Sequence, residues 1–164
     1  MKRVILDTNI YGRIVETEDF ESLRELIRKS GLLIYGNKIV REELRRTPEG
    51  LIDGINLRAD LLRLYSEITK NREIGFNQKV AETAESYYLT YKQIGGMTAQ
   101  NKMRNDFLIV ASASVNNLDI VVSEDNATMR NEIALRAYYI INLALKLRMP
   151  RFIGYEEFKK EIKK

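Results

Sequence analysis

Four acidic side chains stand where carboxylate chemistry could be assembled. Asp7 ends the apolar run at 4–6 and is followed at once by Thr8 and Asn9. Glu43 lies in a short segment, 38–46, whose residues Ile39, Val40 and Leu44 mark an inward side. At 100° per residue Glu43 falls within that arc and Glu42 points away. Asp106 precedes the run Phe-Leu-Ile-Val-Ala and shares a helical side with Ile109, Val110 and Ala113. Asp125 comes just after the apolar stretch 119–122, two residues beyond Ser123.

Each acid also has an ordinary reading. Asp7 is a turn residue that starts the next helix, and Glu43 is an edge residue paired with Arg41 or Arg46. Asp106 complements a helix dipole beside a capping Asn105, and Asp125 is a turn residue. Taken together they suggest a shared site. Close carboxylates repel and rise in pKa unless something positive sits among them. An all-oxygen set suits Mg²⁺ or Mn²⁺.

The composition narrows the chemistry further. The chain has 164 residues, 45% hydrophobic and 30% charged, enough for one domain with its own core. It has no histidine and no cysteine. Imidazole-based catalysis, Ser-His-Asp triads, thiolate chemistry, disulfides and Cys/His zinc sites are therefore excluded. A net charge of +4 is compatible with an anionic partner. Met1, Lys2 and Arg3 precede only three apolar residues, unlike a secretory signal. The apolar stretch 107–115 is too short to cross a bilayer. A cytoplasmic location is expected.

The elements that must position these acids follow from periodicity. Strands are expected at 2–6, 32–35, 119–122 and 151–153. Helices are expected at 9–15, 19–30, 38–46, 55–69, 77–94, 105–116 and 130–147, with a tail helix at 155–163. Short buried strands alternating with helices imply an α/β fold of three layers, α/β/α, around a parallel sheet of about four to five short strands. In such sheets ligands bind beyond the carboxyl ends of the strands, where strand order reverses. The expected organisation is one domain over 1–164, with about 150–164 as a C-terminal strand and helix.

The stretches VILDTNIYG, IVREEL, NDFLIVASA and VVSEDN, in this order, resemble the PIN-domain nucleases over nearly the whole chain. The family's Asp-x-Asn after the first strand is matched by Asp7 and Asn9. Its Glu-Leu on a short helix is matched by Glu43 and Leu44. Its Asp opening an Ile/Ala-rich helix is matched by Asp106, and its Ser/Thr-x-Asp by Ser123 and Asp125. The resemblance implies a Rossmann-like topology and a metal-dependent ribonuclease, with Asp7, Glu43, Asp106 and Asp125 holding Mg²⁺ or Mn²⁺. Thr8, Asn9 and Ser123 would orient the carboxylates or a water from behind. Many small prokaryotic members are toxins of toxin–antitoxin pairs, held inactive by an antitoxin protein and often homodimeric. The stretch 47–76, longer and more polar than in compact toxins, and the tail after Pro150 depart from that pattern.

Arg13, Lys38, Arg41, Lys102 and Arg104 flank the motifs and are candidates for binding RNA phosphates; a solvated charged face is the ordinary alternative. Tyr65, Tyr87, Tyr91 and Tyr138 sit at core spacing, so packing is expected of them rather than base stacking. The last long helix has apolar residues on more than one side, suited to the core or to a dimer surface. Three rival readings are an RNA-processing nuclease outside toxin–antitoxin systems, a catalytically silent RNA-binding or scaffold module of the same fold, and a phosphoacceptor signalling domain. The last would group two acids after the first strand, and Asp7 has no acidic neighbour.

Overall fold

Val4, Ile5 and Leu6 are fully buried because the strand they end, β1 (Lys2–Leu6), has a neighbouring strand on each side. The structure, a computed structural model, describes residues 1–51, 54 and 56–164. Its sheet has five strands in the order β3-β2-β1-β4-β5, all parallel. The others are β2 (Leu32–Asn37), β3 (Glu73–Ile74), β4 (Ile120–Val122) and β5 (Arg151–Ile153). The chain winds outward from β1 through β2 to β3, then returns to place β4 on the other side of β1. Strand order therefore reverses between β1 and β4.

Among the described residues, eight helices make the outer layers. One group is α1 (Thr8–Val15), α2 (Phe20–Lys29), α3 (Lys38–Arg45) and α4 (Leu57–Thr69). These pack on one another and on β2. The second group is α5 (Gln78–Gln93), α6 (Gln100–Val115) and α7 (Glu132–Ala144), with α8 (Tyr155–Glu161) closing the chain. Asparagines start four of these helices. The Oδ1 atoms of Asn37, Asn56, Asn77 and Asn131 accept from backbone amides inside the first turn. Gly36 is required by packing: a Cβ there would lie 2.3 Å from the Tyr65 hydroxyl oxygen. Tyr65, Tyr87, Tyr91 and Tyr138 are all buried, as their spacing implies. Tyr87, Phe107 and Tyr138 form edge-to-face pairs with centroids 4.9 to 6.3 Å apart.

The structure differs from the expected elements in three places. Helix α6 begins at Gln100, not at 105. Its first turns are polar apart from buried Met103, so apolar periodicity misses them. Asp106 thus sits one turn into a continuing helix, and Asn105 does not cap it. Strand β3 was not expected; its two residues pair Gly36 with Glu73 and Asn37 with Ile74, too short a run for any alternation to appear. The helix expected at 55–69 is present from Leu57, while its expected first residue, Ile55, lies outside the described residues.

The C-terminal segment belongs to the sheet. Strand β5 pairs with β4, and Phe158 and Ile162 are buried beneath α8. Glu161 fixes this segment, accepting from Lys2 Nζ at 2.7 Å, Arg151 Nη2 at 2.8 Å and Lys164 Nζ at 2.7 Å. The hydrogen bonds from Lys164, Lys2 and Arg151 hold its carboxyl down to about 2. A lowered carboxyl pKa adds stability above the unfolded value of about 4.3, and that stability is lost as pH falls toward 2. All three cations are half exposed or more, so screening limits the gain. Glu161→Gln is expected to lower stability at pH 7 by about 1–2 kcal/mol. Urea titrations should show the gap to wild type narrowing between about pH 5 and pH 2.

Candidate active site

Leu6 and Val122 are register partners across the point where strand order reverses. The residues that follow them, Asp7 and Ser123, therefore emerge side by side at the carboxyl edge of the sheet. Asp7 is 5% exposed. Its Oδ1 accepts from the Thr8 amide at 2.8 Å, so it also caps α1. Its Oδ2 accepts from Asn9 Nδ2 at 2.7 Å and from Ser123 Oγ at 2.6 Å.

The other carboxylates converge on this edge from three more segments. Glu43, on the inward side of α3, accepts from the Thr8 hydroxyl and, at 2.7 Å, from Asn105 Nδ2 on α6. Neither Arg41 nor Arg46 pairs with it. Asp106, one residue further along α6, faces the Thr128 hydroxyl. Asp125 Oδ1 accepts from the amides of Ala127 at 3.0 Å and Thr128 at 2.8 Å, while its Oδ2 contacts the Thr128 hydroxyl at 2.5 Å. The Ser123 hydroxyl also accepts from the Asp125 amide at 3.0 Å, linking the two ends of the loop to Asp7.

The charge balance of this pocket is one-sided. Among the described residues, none of the four carboxylates forms an ion pair with a lysine or arginine. Burial first, and then the nearby charges of Asp7, Asp125 and Glu43, together push the Asp106 carboxyl up to about 7 against the Thr128 hydrogen bond. Asp7 is raised by burial and by Glu43 and Asp125, opposed by its bonds from Ser123 and Thr8. Thr128 carries one hydroxyl proton but touches both Asp106 and Asp125. It can donate to only one of them. A proton on Asp106, favoured below about pH 7 by its raised pKa, would supply the second bond.

The donor set fits a hard divalent cation in chemistry: oxygen ligands only, four acids and no competing positive group. Its side-chain geometry is not a closed shell. Among the described residues no three acids are gathered tightly enough to hold an ion as they stand. Each carboxylate is instead turned onto a hydroxyl or amide: Asp7 onto Ser123 and Asn9, Glu43 onto Thr8 and Asn105, Asp106 and Asp125 onto Thr128.

The basic candidates divide. Arg104 is exposed and lines a cleft of about 690 Å³ together with Arg46, Asn105, Tyr88 and Phe76. Lys38 and Lys102 are exposed beside the site's elements. Arg13 lies over the Tyr155 ring, 5.4 Å from its centroid. Arg41 does not join them. Two residues before Glu43, it points to the opposite side of α3 and pairs with Glu73 at 3.0 Å. Thr128 and the bonding role of Asn105 had no sequence signal beyond their closeness to acids.

Residues 4–132 match the family model for the PIN domain, and this span includes all four carboxylates. The chain belongs to the PIN-domain family, whose members are generally nucleases and typically use divalent metal ions. A comparison with curated proteins finds no match. Among solved structures, the chain is similar to one in the crystal structure of VapBC2 from Rickettsia felis bound to a DNA fragment from their promoter. The TM-score is 0.58 at 18% identity, covering 93% of this chain and 98% of that one. At that identity the likeness is one of fold, and it extends past the family match toward β5 and α8.

The raised Asp106 carboxyl has a thermodynamic consequence. Between about pH 4 and pH 7 the folded chain holds a proton that the unfolded chain has released. Without added metal, stability therefore falls as pH rises through that window. Asp106→Asn removes the buried charge and is expected to be more stable than wild type at pH 8 by about 1–3 kcal/mol. Urea unfolding in EDTA at pH 5 and pH 8 checks this; the advantage should shrink at pH 5.

Proposed function

We propose that the chain is an endoribonuclease that hydrolyses RNA phosphodiester bonds with Mg²⁺ or Mn²⁺ held by Asp7, Glu43, Asp106 and Asp125. The observation that carries this reading is the cluster itself. Four acids from four segments meet at the reversal of strand order; burial and the neighbouring carboxylates raise the proton affinity of Asp7 and Asp106, and among the described residues no lysine or arginine pairs with any of the four. When bound, a divalent ion supplies a water of lowered pKa and takes up charge on the phosphate and the departing oxygen.

The chain's own groups do the rest. Ser123 and Asn9 hold Asp7 in one orientation, and Thr8 and Asn105 hold Glu43. Thr128 holds Asp106 and Asp125 together, and gives up one of these contacts when Asp106 loses its proton. Lys38, Lys102, Arg104 and, more remotely, Arg13 are placed to take backbone phosphates around the acidic pocket. In-line hydrolysis leaves a 5′-phosphate and a 3′-hydroxyl.

The same reading takes the whole span 1–164 as one unit acting in the cytoplasm. Among the described residues no helix is long and apolar enough to cross a membrane. The fold likeness to a chain of the VapBC2 complex supports the further reading that this chain is the toxin of a toxin–antitoxin pair, restrained by an antitoxin protein. The exposed Tyr139, Ile140 and Leu143 on α7 support a homodimer contact.

Cleavage of single-stranded RNA in Mg²⁺ or Mn²⁺, abolished by EDTA, is the expected behaviour. Asp7→Asn is expected to lower kcat by at least about 100-fold, the loss of several kcal/mol of transition-state stabilisation. Product ends identified by mass spectrometry should be 5′-phosphates. RNA binding without cleavage in either metal would leave only the silent module.

A further inference from the structure

The cleft beside the carboxylates has walls that phosphodiester hydrolysis alone does not call for. Its volume, about 690 Å³, suits a ligand of nucleotide size. One end meets the site through Asn105, which bonds Glu43 at 2.7 Å. Arg46 lies one helical turn after Glu43 on the same side of α3, and Arg104 lies beside Asn105 on α6. Among the described residues neither arginine has an ion-pair partner.

Across from them Phe76, in the link between β3 and α5, is 48% exposed at the rim of this polar cleft. Its half-exposed ring puts an aromatic face within reach of a ligand in the cleft. Tyr88 forms the wall behind, braced against Tyr91 and Phe107 with centroids 6.4 and 6.3 Å away. Glu85 and Gln100, bonded to each other at 2.8 Å, add an acceptor and a donor to the lining.

We propose that this cleft is a subsite for single-stranded RNA, in which Phe76 stacks on an unpaired base and Arg46 and Arg104 take the flanking phosphates. The inference rests on the ribonuclease reading and extends it: the enzyme grips an unpaired nucleotide next to the bond it cuts. Aromatic faces stack on bases only where these are not paired. The Glu85–Gln100 pair faces the edge of that base. Arginines one turn from a cluster of carboxylates give a polyanion a place to lie while its scissile phosphate enters the acidic pocket.

The test separates binding from cleavage. Affinity of the full-length protein for a short, labelled single-stranded RNA is measured by fluorescence anisotropy in EDTA. Phe76→Ala should weaken binding about tenfold, and Phe76→Trp should restore it. Arg104→Ala should weaken binding and reduce the salt slope by about one. Leu26→Ala, exposed on α2, should bind as wild type. In Mg²⁺ or Mn²⁺ the Phe76→Ala change should appear in KM more than in kcat. Unchanged affinity in Phe76→Ala, no rescue by Phe76→Trp, or no RNA binding by the wild type would each overturn the subsite. Phe76-dependent binding without cleavage in either metal would keep the subsite and end the ribonuclease reading. Metal-dependent cleavage indifferent to Phe76 and Arg104 would do the reverse.

Discussion

The arrangement depends on negative charge being buried among negative charge. Asp7 is almost wholly enclosed, and Asp106 is close enough to Asp7, Asp125 and Glu43 to feel all three. Isolated in a protein interior, ionised carboxylates are among the most costly groups to bury, and mutual repulsion adds to the cost. The cluster is built at the centre of the sheet, on strands that have a neighbour on each side. The two strands that meet there, β1 and β4, end in Leu6 and Val122, both fully buried. Each such side chain contributes roughly 1.5–3 kcal/mol by leaving water. The unfavourable site is anchored to the most favourable part of the core, a division common at functional sites.

Hydroxyls and amides, not cations, make the cluster tolerable in the metal-free chain. Ser123, Thr8 and Thr128 each turn a hydroxyl onto a carboxylate, and Asn9 and Asn105 add amide donors. Neutral donors lower a carboxylate's pKa without neutralising it. The site therefore stays acidic, with no lysine or arginine paired to it among the described residues. A lysine in place of Thr128 would satisfy the charge permanently and compete with any metal.

Much of this was legible in the sequence, and for physical reasons. Asp7 and Asp125 follow apolar runs, and parallel sheets expose the carboxyl ends of their strands. Glu43 was picked out from Glu42 by helical phase alone, and the same phase places Arg41 on the far side, against Glu73. The start of α6 at Gln100 is not legible, because a helix whose first turns are mostly polar shows no amphipathic stripe; the face of Asp106 is legible all the same, since phase does not depend on where a helix begins. Strand β3 escaped notice because two residues cannot alternate. Thr128 and Phe76 were invisible for another reason. A threonine in a polar loop and a phenylalanine in a short link carry no period, and what they face is decided by elements far away in the chain.

The segment after Pro150 shows how distant parts of the chain support the site. The loop carrying Ser123 and Asp125 leaves β4, whose outer neighbour is β5; the Ser123 amide bonds the Ile153 carbonyl at 3.0 Å. Arg130 Nη1 donates to the Ser123 carbonyl at 2.8 Å, and the Glu124 carboxylate accepts from the Tyr155 amide at the start of α8. Gly154 permits that approach, since a Cβ there would lie 2.9 Å from Glu124 Oε1. On its other side, the Glu124 amide bonds Asn9 Oδ1 at 3.2 Å. The loop is thus held between α1 and the C-terminal strand and helix. Two carboxylates from opposite ends of the sequence stay in register only while both of these contacts hold. The strand and helix expected after Pro150 form, in the folded chain, one wall of the support for Asp7 and Asp125.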